Sequence, residues 1–282
     1  MPNEAQYLAL AKKRVRRPAE KPTYRKILVY GRNKKGKTRF GLSAGVPSTL
    51  VLDPEEGTAT MKALNPYVWP ITNWQDIQEA YGALRTGKLS PALLGVGPEK
   101  EPFTWVSVDG CSKMSKMSLR YVMGLAEEKD LDRKPGMVQQ RDYGRSGELF
   151  AQMLQNFHAL PMNVLYTAQE RTETTGGFDD DEDEEDQGFM QVPDLPRGAR
   201  GALLSIVEVI GRIYTVPIET KQGKVAQRRL RIGLHERYDT GYRSDYILPD
   251  TLIDPTLPML VDTMLAGYKD LTPPPKKKKG KK

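Results

Sequence analysis

Apolar and polar positions along the chain fall in blocks. KILVY (26–30), STLVLD (48–53), FTWVSVDG (103–110) and MNVLYTAQ (162–169) are short runs dominated by strand-forming residues. Unbroken runs of this kind, unlike strict alternation, belong to central strands covered on both faces. Between them the spacing changes to the three-to-four-residue period of a helix. TRFGLSAG (38–45) begins one helix, WQDIQEAYGALRTG (74–87) supplies a second and GELFAQMLQNFHAL (147–160) a strongly periodic third. Strands alternating with helices predict an α/β domain whose central sheet is mainly parallel and flanked by helices.

After Gln169 the pattern breaks. Residues 170–201 are polar, acidic and interrupted by Gly and Pro, which predicts a long loop, functional or disordered. LLSIVEVIGRIYTV (203–216) and QRRLRIGLHERY (227–238) flank KQGK (221–224) and predict a C-terminal antiparallel hairpin. A short helix is expected within LPDTLIDPTLPMLVDTMLAGY (248–268). Residues 1–24 read as a basic, partly helical arm, 25–268 as one domain, and 269–282 as a disordered Lys-rich tail that cannot bury a core.

Composition narrows the function. No run of about 18 apolar residues exists, so no membrane span is expected. The N-terminal residues lack the apolar stretch of a secretory signal. A single cysteine, Cys111, excludes an internal disulfide, and two histidines, His158 and His235, argue against a zinc centre. A reducing, cytoplasmic setting is expected, the host cytoplasm if the chain is phage-encoded. The net charge is +7, but six lysines in 276–282 and the excess of basic residues in 1–25 more than account for it. Between the ends the chain is acidic, and DDDEDEED (179–186) is its most acidic stretch. The high isoelectric point is therefore no sign of a basic globular surface.

The first strand leads into the candidate chemistry. Gly31-Arg32-Asn33-Lys34-Lys35-Gly36-Lys37-Thr38 fits G-x-x-x-x-G-K-[ST], followed by Arg39. Two glycines allow a tight turn whose backbone N–H groups approach a phosphate, and the flanking cations need an anion to offset their repulsion. The expected occupant is a nucleoside triphosphate, with Lys37 at the β- and γ-phosphates and the Thr38 hydroxyl on Mg²⁺. The metal needs a carboxylate at a neighbouring strand end, and Asp109 closes FTWVSV in that place. Gly110 follows it, where AAA+ ATPases usually carry a catalytic Glu, so the base must come from elsewhere.

STLVLDPEEG, FTWVSVDG and MNVLYTAQE, in this order after the phosphate loop, resemble the RecA-like ATPase core. RDYGRSGELFAQMLQNFHALPMNVLYTAQERT and the segment from DLPRGARGALLSIVEVIGRIY to YRSDYILP look like the phage-encoded nucleotide-binding ATPases, a group that includes the Sak-type single-strand annealing recombinases. The resemblance covers roughly residues 25–265. It implies an ATP- and Mg²⁺-dependent ATPase. Asp53 and Glu55 stand at the acidic pair whose glutamate activates the attacking water, with Glu56 a rival one residue on. Gln169 stands at the γ-phosphate sensor, and Arg243 is a candidate for the cation that completes a neighbouring subunit's site.

The resemblance also implies single-stranded DNA as partner, a homo-oligomeric ring or filament, and a single-strand binding protein as a further partner. The loops expected to line the DNA channel are 111–146, with Lys113, Lys116, Arg120, Lys134 and Arg141, and 170–201, with Arg171, Arg197 and Arg200. The acids 179–186 conflict with DNA at the second loop, because they repel phosphate. Either their tip points away from DNA, or they compete with it for the basic groups, including the lysine tail. The same core also suits a helicase-like replication motor, or a nucleotide switch that recruits replication proteins.

Overall fold

The computed structural model describes residues 4–15, 23–174, 188–220 and 223–266. The acidic run 179–186 and the lysine tail lie outside them. Helix α1 (Glu4–Arg14) buries none of its residues.

The centre is a nine-stranded sheet. Its main path runs β11 (Thr251–Ile253), β9 (Gly223–Arg231), β8 (Val209–Thr220), β1 (Lys26–Tyr30), β5 (Asn163–Ala168), β4 (Trp105–Asp109), β2 (Thr49–Asp53) and β3 (Tyr67–Pro70). From β8 to β3 all neighbours are parallel. β8 turns back antiparallel into β9, and β11 continues that side. The short β10 (Gly241–Tyr242) pairs with the start of β8. The α/β reading and the C-terminal hairpin are both present.

Alternation along the strands distributes the core to two faces. Leu28 and Tyr30 of β1, with Val164 and Tyr166 of β5, join Trp74, Ile77, Met114, Phe150, Leu154 and Phe157 from the helices of one face. Those helices are α3 (Trp74–Leu84), α5 (Cys111–Lys129), α6 (Gln140–His158) and α7 (Arg197–Ile206). Ile27, Val29 and Leu165 point the other way, toward Phe40 of α2 (Lys37–Leu42) and toward Leu257, Leu260 and Met264 of α8 (Leu257–Ala266). α4 (Pro91–Leu94) is a single turn at the periphery. With both faces covered, every residue of β1, β2 and β4 is buried, which is why these strands read as apolar runs broken only by Lys26, Thr49, Asp53, Ser107 and Asp109.

Three expectations need correction. Residues 111–146 are not a loop: they hold all of α5 and the start of α6. Met114, Met117 and Val122 of α5 are buried at helical spacing, although Ser and Lys separate them. Residues 170–201 are not one loop either. β6 (Glu170–Thr174) and β7 (Phe189–Pro193) pair antiparallel as a separate ribbon, and α7 follows. Finally, Leu203–Ile206 belong to α7, and the hairpin strand starts at Val209. Ala199 and Leu203, four residues apart, turn one helical face inward.

Lys26 is the exception within β1. It is 4% exposed, and its ammonium donates to the Leu160 and Met162 carbonyls at 2.9 and 2.6 Å. Burial pushes its pKa down to about 8, against the raising influence of Glu208. The free value of 10.5 lies above this, so between about pH 8 and 10.5 the unfolded chain binds more protons and stability rises with pH. In urea unfolding, the wild type is expected to gain on Lys26→Met as pH goes from 7.5 to 10, by up to about 3 kcal/mol. Parallel pH curves for the two proteins would contradict this account of Lys26.

Candidate nucleotide-binding site

β1 ends at Tyr30 in the middle of the sheet, and the chain leaves through the Gly31–Thr38 loop into α2. Gly31 lies against β8: a Cβ there would come within 2.3 Å of the Ile213 carbonyl oxygen, so only glycine lets the loop start beside that strand. Its N–H donates to the Ala168 carbonyl at the end of β5 at 3.2 Å. Lys35 donates to the Thr215 hydroxyl on β8 at 2.9 Å, pinning the loop's outer side. The Lys37 ammonium turns back over the loop to the Gly31 and Arg32 carbonyls at 2.8 and 3.0 Å. Burial lowers the pKa of Lys37, while Asp109, Glu55 and Glu170 work to raise it.

Asp109 lies at the C-terminal end of β4, directly paired with Thr167 of β5. The Thr38 hydroxyl donates to its Oδ2 at 2.6 Å, and the Thr167 hydroxyl to its Oδ1 at 2.7 Å. The carboxylate is nearly inaccessible, and desolvation raises its pKa although both hydroxyls favour the charged form. A buried carboxylate beside a threonine hydroxyl is a hard-oxygen pair that suits Mg²⁺. Among the described residues no group of three or more His, Cys, Asp or Glu could hold a metal ion by itself. Thr38 and Asp109 would therefore hold Mg²⁺ only together with phosphate oxygens and water, and the bound ion would supply charge neutralisation at the phosphates.

After β2, the Asp53 carboxylate is buried and folds the next turn. It accepts from the N–H groups of Glu55, Gly57 and Thr58 at 3.0, 3.1 and 2.9 Å, and from the Thr58 hydroxyl. The turn sends Glu55 and Glu56 in different directions. Glu55 lines a cavity of about 490 Å³ together with Lys37, Thr38, Asp109 and Gln169. Glu56 has a left-handed backbone and lines a separate cavity with Lys62, Asn65 and Val68. Gly110, also left-handed, packs under this turn: a Cβ there would sit 2.9 Å from Pro54 and 3.4 Å from the Glu55 carboxylate. The space that a side chain after Asp109 would need is thus filled by Pro54 and Glu55.

Gln169 closes the site, with its side-chain oxygen 3.5 Å from the Lys37 ammonium and its N–H donating to the Ser112 hydroxyl at 2.9 Å. Asn33, Lys34, Gly36 and Arg39 line the same cavity. Arg32 lines an adjoining one of about 650 Å³ with Lys113 and Lys116, and Glu55, Asn33 and Gln169 face both. Ser112, Lys116 and Asp194 in turn line a third, of about 730 Å³, reaching Tyr143 and Arg197 between α5, α6 and α7.

The other basic candidates divide into free and engaged groups. Lys113, Lys116, Arg120 and Arg197 are exposed. Arg200 is bound to Glu173 at 2.7 Å, and Arg171 also pairs with Glu173. Arg141 lies 4.0 Å from Asp130, and Lys134 is exposed. Arg243 lies at the opposite end of the sheet. It follows Tyr242, which pairs with Val209 at the start of β8, and its guanidinium donates to the Ser205 carbonyl at 2.5 Å. It stands away from the phosphate loop. Sequence reasoning missed Glu170, whose side chain is 4% exposed and binds both Arg32 and Arg212, because partners 138 and 42 residues away leave no local signal.

A phosphate loop leaving a central parallel strand, with a buried carboxylate ending a nearby strand, defines a P-loop ATPase core. Residues 23–244 match the family model described as AAA domain, and the chain belongs to that family of nucleotide-binding ATPases. Among curated proteins none matches the chain. Among the described residues no helix is long and apolar enough to cross a membrane.

The buried charge of Asp109 opposes folding until a cation offsets it. Asp109→Asn is therefore expected to raise the melting temperature of the nucleotide-free protein while weakening the Mg²⁺ dependence of nucleotide binding. Calorimetric melting and Mg²⁺ titration measure the two effects. A lower melting temperature with unchanged Mg²⁺ dependence would contradict the assignment.

Proposed function

We propose that this protein is a Mg²⁺-dependent ATPase acting on single-stranded DNA as a homo-oligomer, in recombination or strand annealing. The reading extends the chain's resemblance to the phage-encoded Sak-type recombinases. Lys37 meets the β- and γ-phosphates, and Glu55 takes the proton of the attacking water. Gln169 reads the terminal phosphate, and Arg243 serves a neighbouring subunit. Glu55 is favoured over Glu56 because it alone of the two faces the cavity of Lys37 and Thr38.

One observation carries the DNA reading: the cavity of the phosphate loop continues, through Glu55, Gln169 and Ser112, onto a cationic surface. Lys113, Lys116 and Arg120 stand three and four residues apart on α5 and share one exposed stripe, with Arg197 of α7 across the groove from Lys116. Such a stripe suits the phosphates of a nucleic-acid strand, with affinity that falls as salt rises. Arg200 of α7 ties the β6–β7 ribbon through Glu173, Arg171 pairs with Glu173 along the same strand, and both are poor candidates for DNA contact.

The test is the ATPase rate with and without single-stranded DNA at two salt concentrations, for wild type and for Lys113→Ala/Lys116→Ala. DNA is expected to stimulate the wild type, without strand separation, and to stimulate the double variant at least about tenfold less at the higher salt. Directional unwinding would assign a motor function instead. Equal turnover with and without DNA would remove DNA from the account and leave an ATPase that serves another partner.

A further inference from the structure

The phosphate loop carries a cation that its motif does not require. Arg32 directly follows Gly31, and its carbonyl accepts from the Lys37 ammonium at 3.0 Å. Its side chain is 73% exposed and reaches Glu170, the residue after Gln169, with Nε 3.0 Å from the carboxylate. Glu170 is 4% exposed and holds a second arginine. Arg212 of β8 donates from Nε at 3.0 Å and from Nη2 at 3.3 Å, and is only 14% exposed. Tyr214 and Tyr238 pack on the Arg212 guanidinium, with ring centroids at 5.4 and 4.3 Å.

The two arginines are not equivalent. Arg212 is packed and doubly bonded, so its loss would strand a buried carboxylate. Arg32 is held on the solvent side, where an ion pair is worth little. If Arg32 leaves, Glu170 keeps its fork of two hydrogen bonds to Arg212 and no buried charge is left unpaired. The exchange of partners by Arg32 is therefore inexpensive. The cavity it lines also contains Glu55 and Gln169, which face Lys37 on their other side. A terminal phosphate lying beyond Lys37 toward Glu55 falls between these groups.

We propose that Arg32 is a catalytic residue acting in cis: on triphosphate binding, its guanidinium leaves Glu170 for the terminal phosphate. This rests on the ATPase reading above. In the reaction the oxygen of a water molecule bonds to the γ-phosphorus and its proton passes to the Glu55 carboxylate. The bond from the γ-phosphorus to the bridging oxygen breaks, its electron pair stays with ADP, and inorganic phosphate is released. Arg32 offsets negative charge on the transferring group and the bridging oxygen as that bond breaks. ADP lacks the group that draws Arg32 away, so in the ADP state Arg32 stays on Glu170. The same residue thus distinguishes triphosphate from diphosphate.

Arg32 is exposed, so Arg32→Ala leaves the fold intact and can be assayed in the full-length protein. Its turnover is expected to fall on the order of 10²-fold. The ratio of ATP to ADP affinity should drop about tenfold or more, with ADP affinity within about twofold of wild type. Mixing Arg32→Ala with Lys37→Ala protein is expected to restore no activity, because each site needs both residues from one chain. Restored activity in the mixture would show a trans residue and overturn the proposal. Turnover and affinity ratio within about twofold of wild type, while Lys37→Ala has lost turnover, would remove Arg32 but keep the ATPase reading. Turnover retained by Lys37→Ala would overturn the ATPase reading and the proposal with it.

Discussion

The site is organised around one constraint: a carboxylate buried at the end of a central strand must keep hydrogen-bond donors on both oxygens. Asp109 meets it with the hydroxyls of Thr38 and Thr167. Thr167 is its register partner across the β4–β5 ladder, so the sheet pairing itself places one donor. Thr38 comes from the first turn of α2, which ties the phosphate loop to a strand two positions away in the sheet. A slip of one residue in either strand would turn Thr167 or Asp109 to the opposite face and leave a charge among apolar side chains. Strand order, register and loop position are thereby coupled, and the same arrangement keeps the Thr38–Asp109 pair at the C-terminal end of the sheet.

Around this centre, acids sort the cations into structural and available groups. Glu173 takes Arg200 and Arg171, Glu170 takes Arg212, and Asp142 takes the buried Arg133 in the α5–α6 connection. These pairs fix β6, β8 and the α5–α6 turn in place, and losing one partner of Arg133–Asp142 or Arg212–Glu170 would leave the other charge buried. Lys113, Lys116 and Arg197 stay exposed along a groove that starts at the phosphate loop, and Arg120 is exposed one turn further along α5. Arg32 stands between the groups, paired but exposed. Nucleotide chemistry and any polyanion on the α5 stripe would thus share a wall made of Glu55, Gln169 and Ser112.

The parts legible in the sequence were those with local causes. β1, β2, β4 and β5 are buried on both faces and read as apolar runs, and the glycines and cations at 31–39 stood out at the end of the first run. Lys37, Thr38, Asp109 and Gln169 each stand at the end of one of these runs or in the loop that follows it. α5 is not legible as an apolar pattern because Ser112 and Ser118 take buried positions on its inner face, leaving Cys111, Met114, Met117 and Val122 as the only buried apolar residues at helical spacing. Gly144 and Gly147 hid the start of α6, and neither meets another atom where a side chain would begin. The choice between Glu55 and Glu56 depended on the Asp53 turn, whose hydrogen bonds aim the two carboxylates apart. The Glu170 network joins the phosphate loop, the start of β6 and β8, and no sequence period encodes such a contact.

The most direct test of the account is the melting temperature of the wild type and of Lys37→Ala, each with ATP plus Mg²⁺ and with ATP plus chelator. Saturating nucleotide at about 100 times its dissociation constant stabilises a protein by about 2.7 kcal/mol, which a melting curve resolves. The wild type is expected to rise with ATP plus Mg²⁺ and to rise less with the chelator. Lys37→Ala should melt near the unliganded wild type under both conditions. An equal rise in both proteins, or none in the wild type, would contradict the placement of a Mg²⁺–nucleotide at Lys37, Thr38 and Asp109.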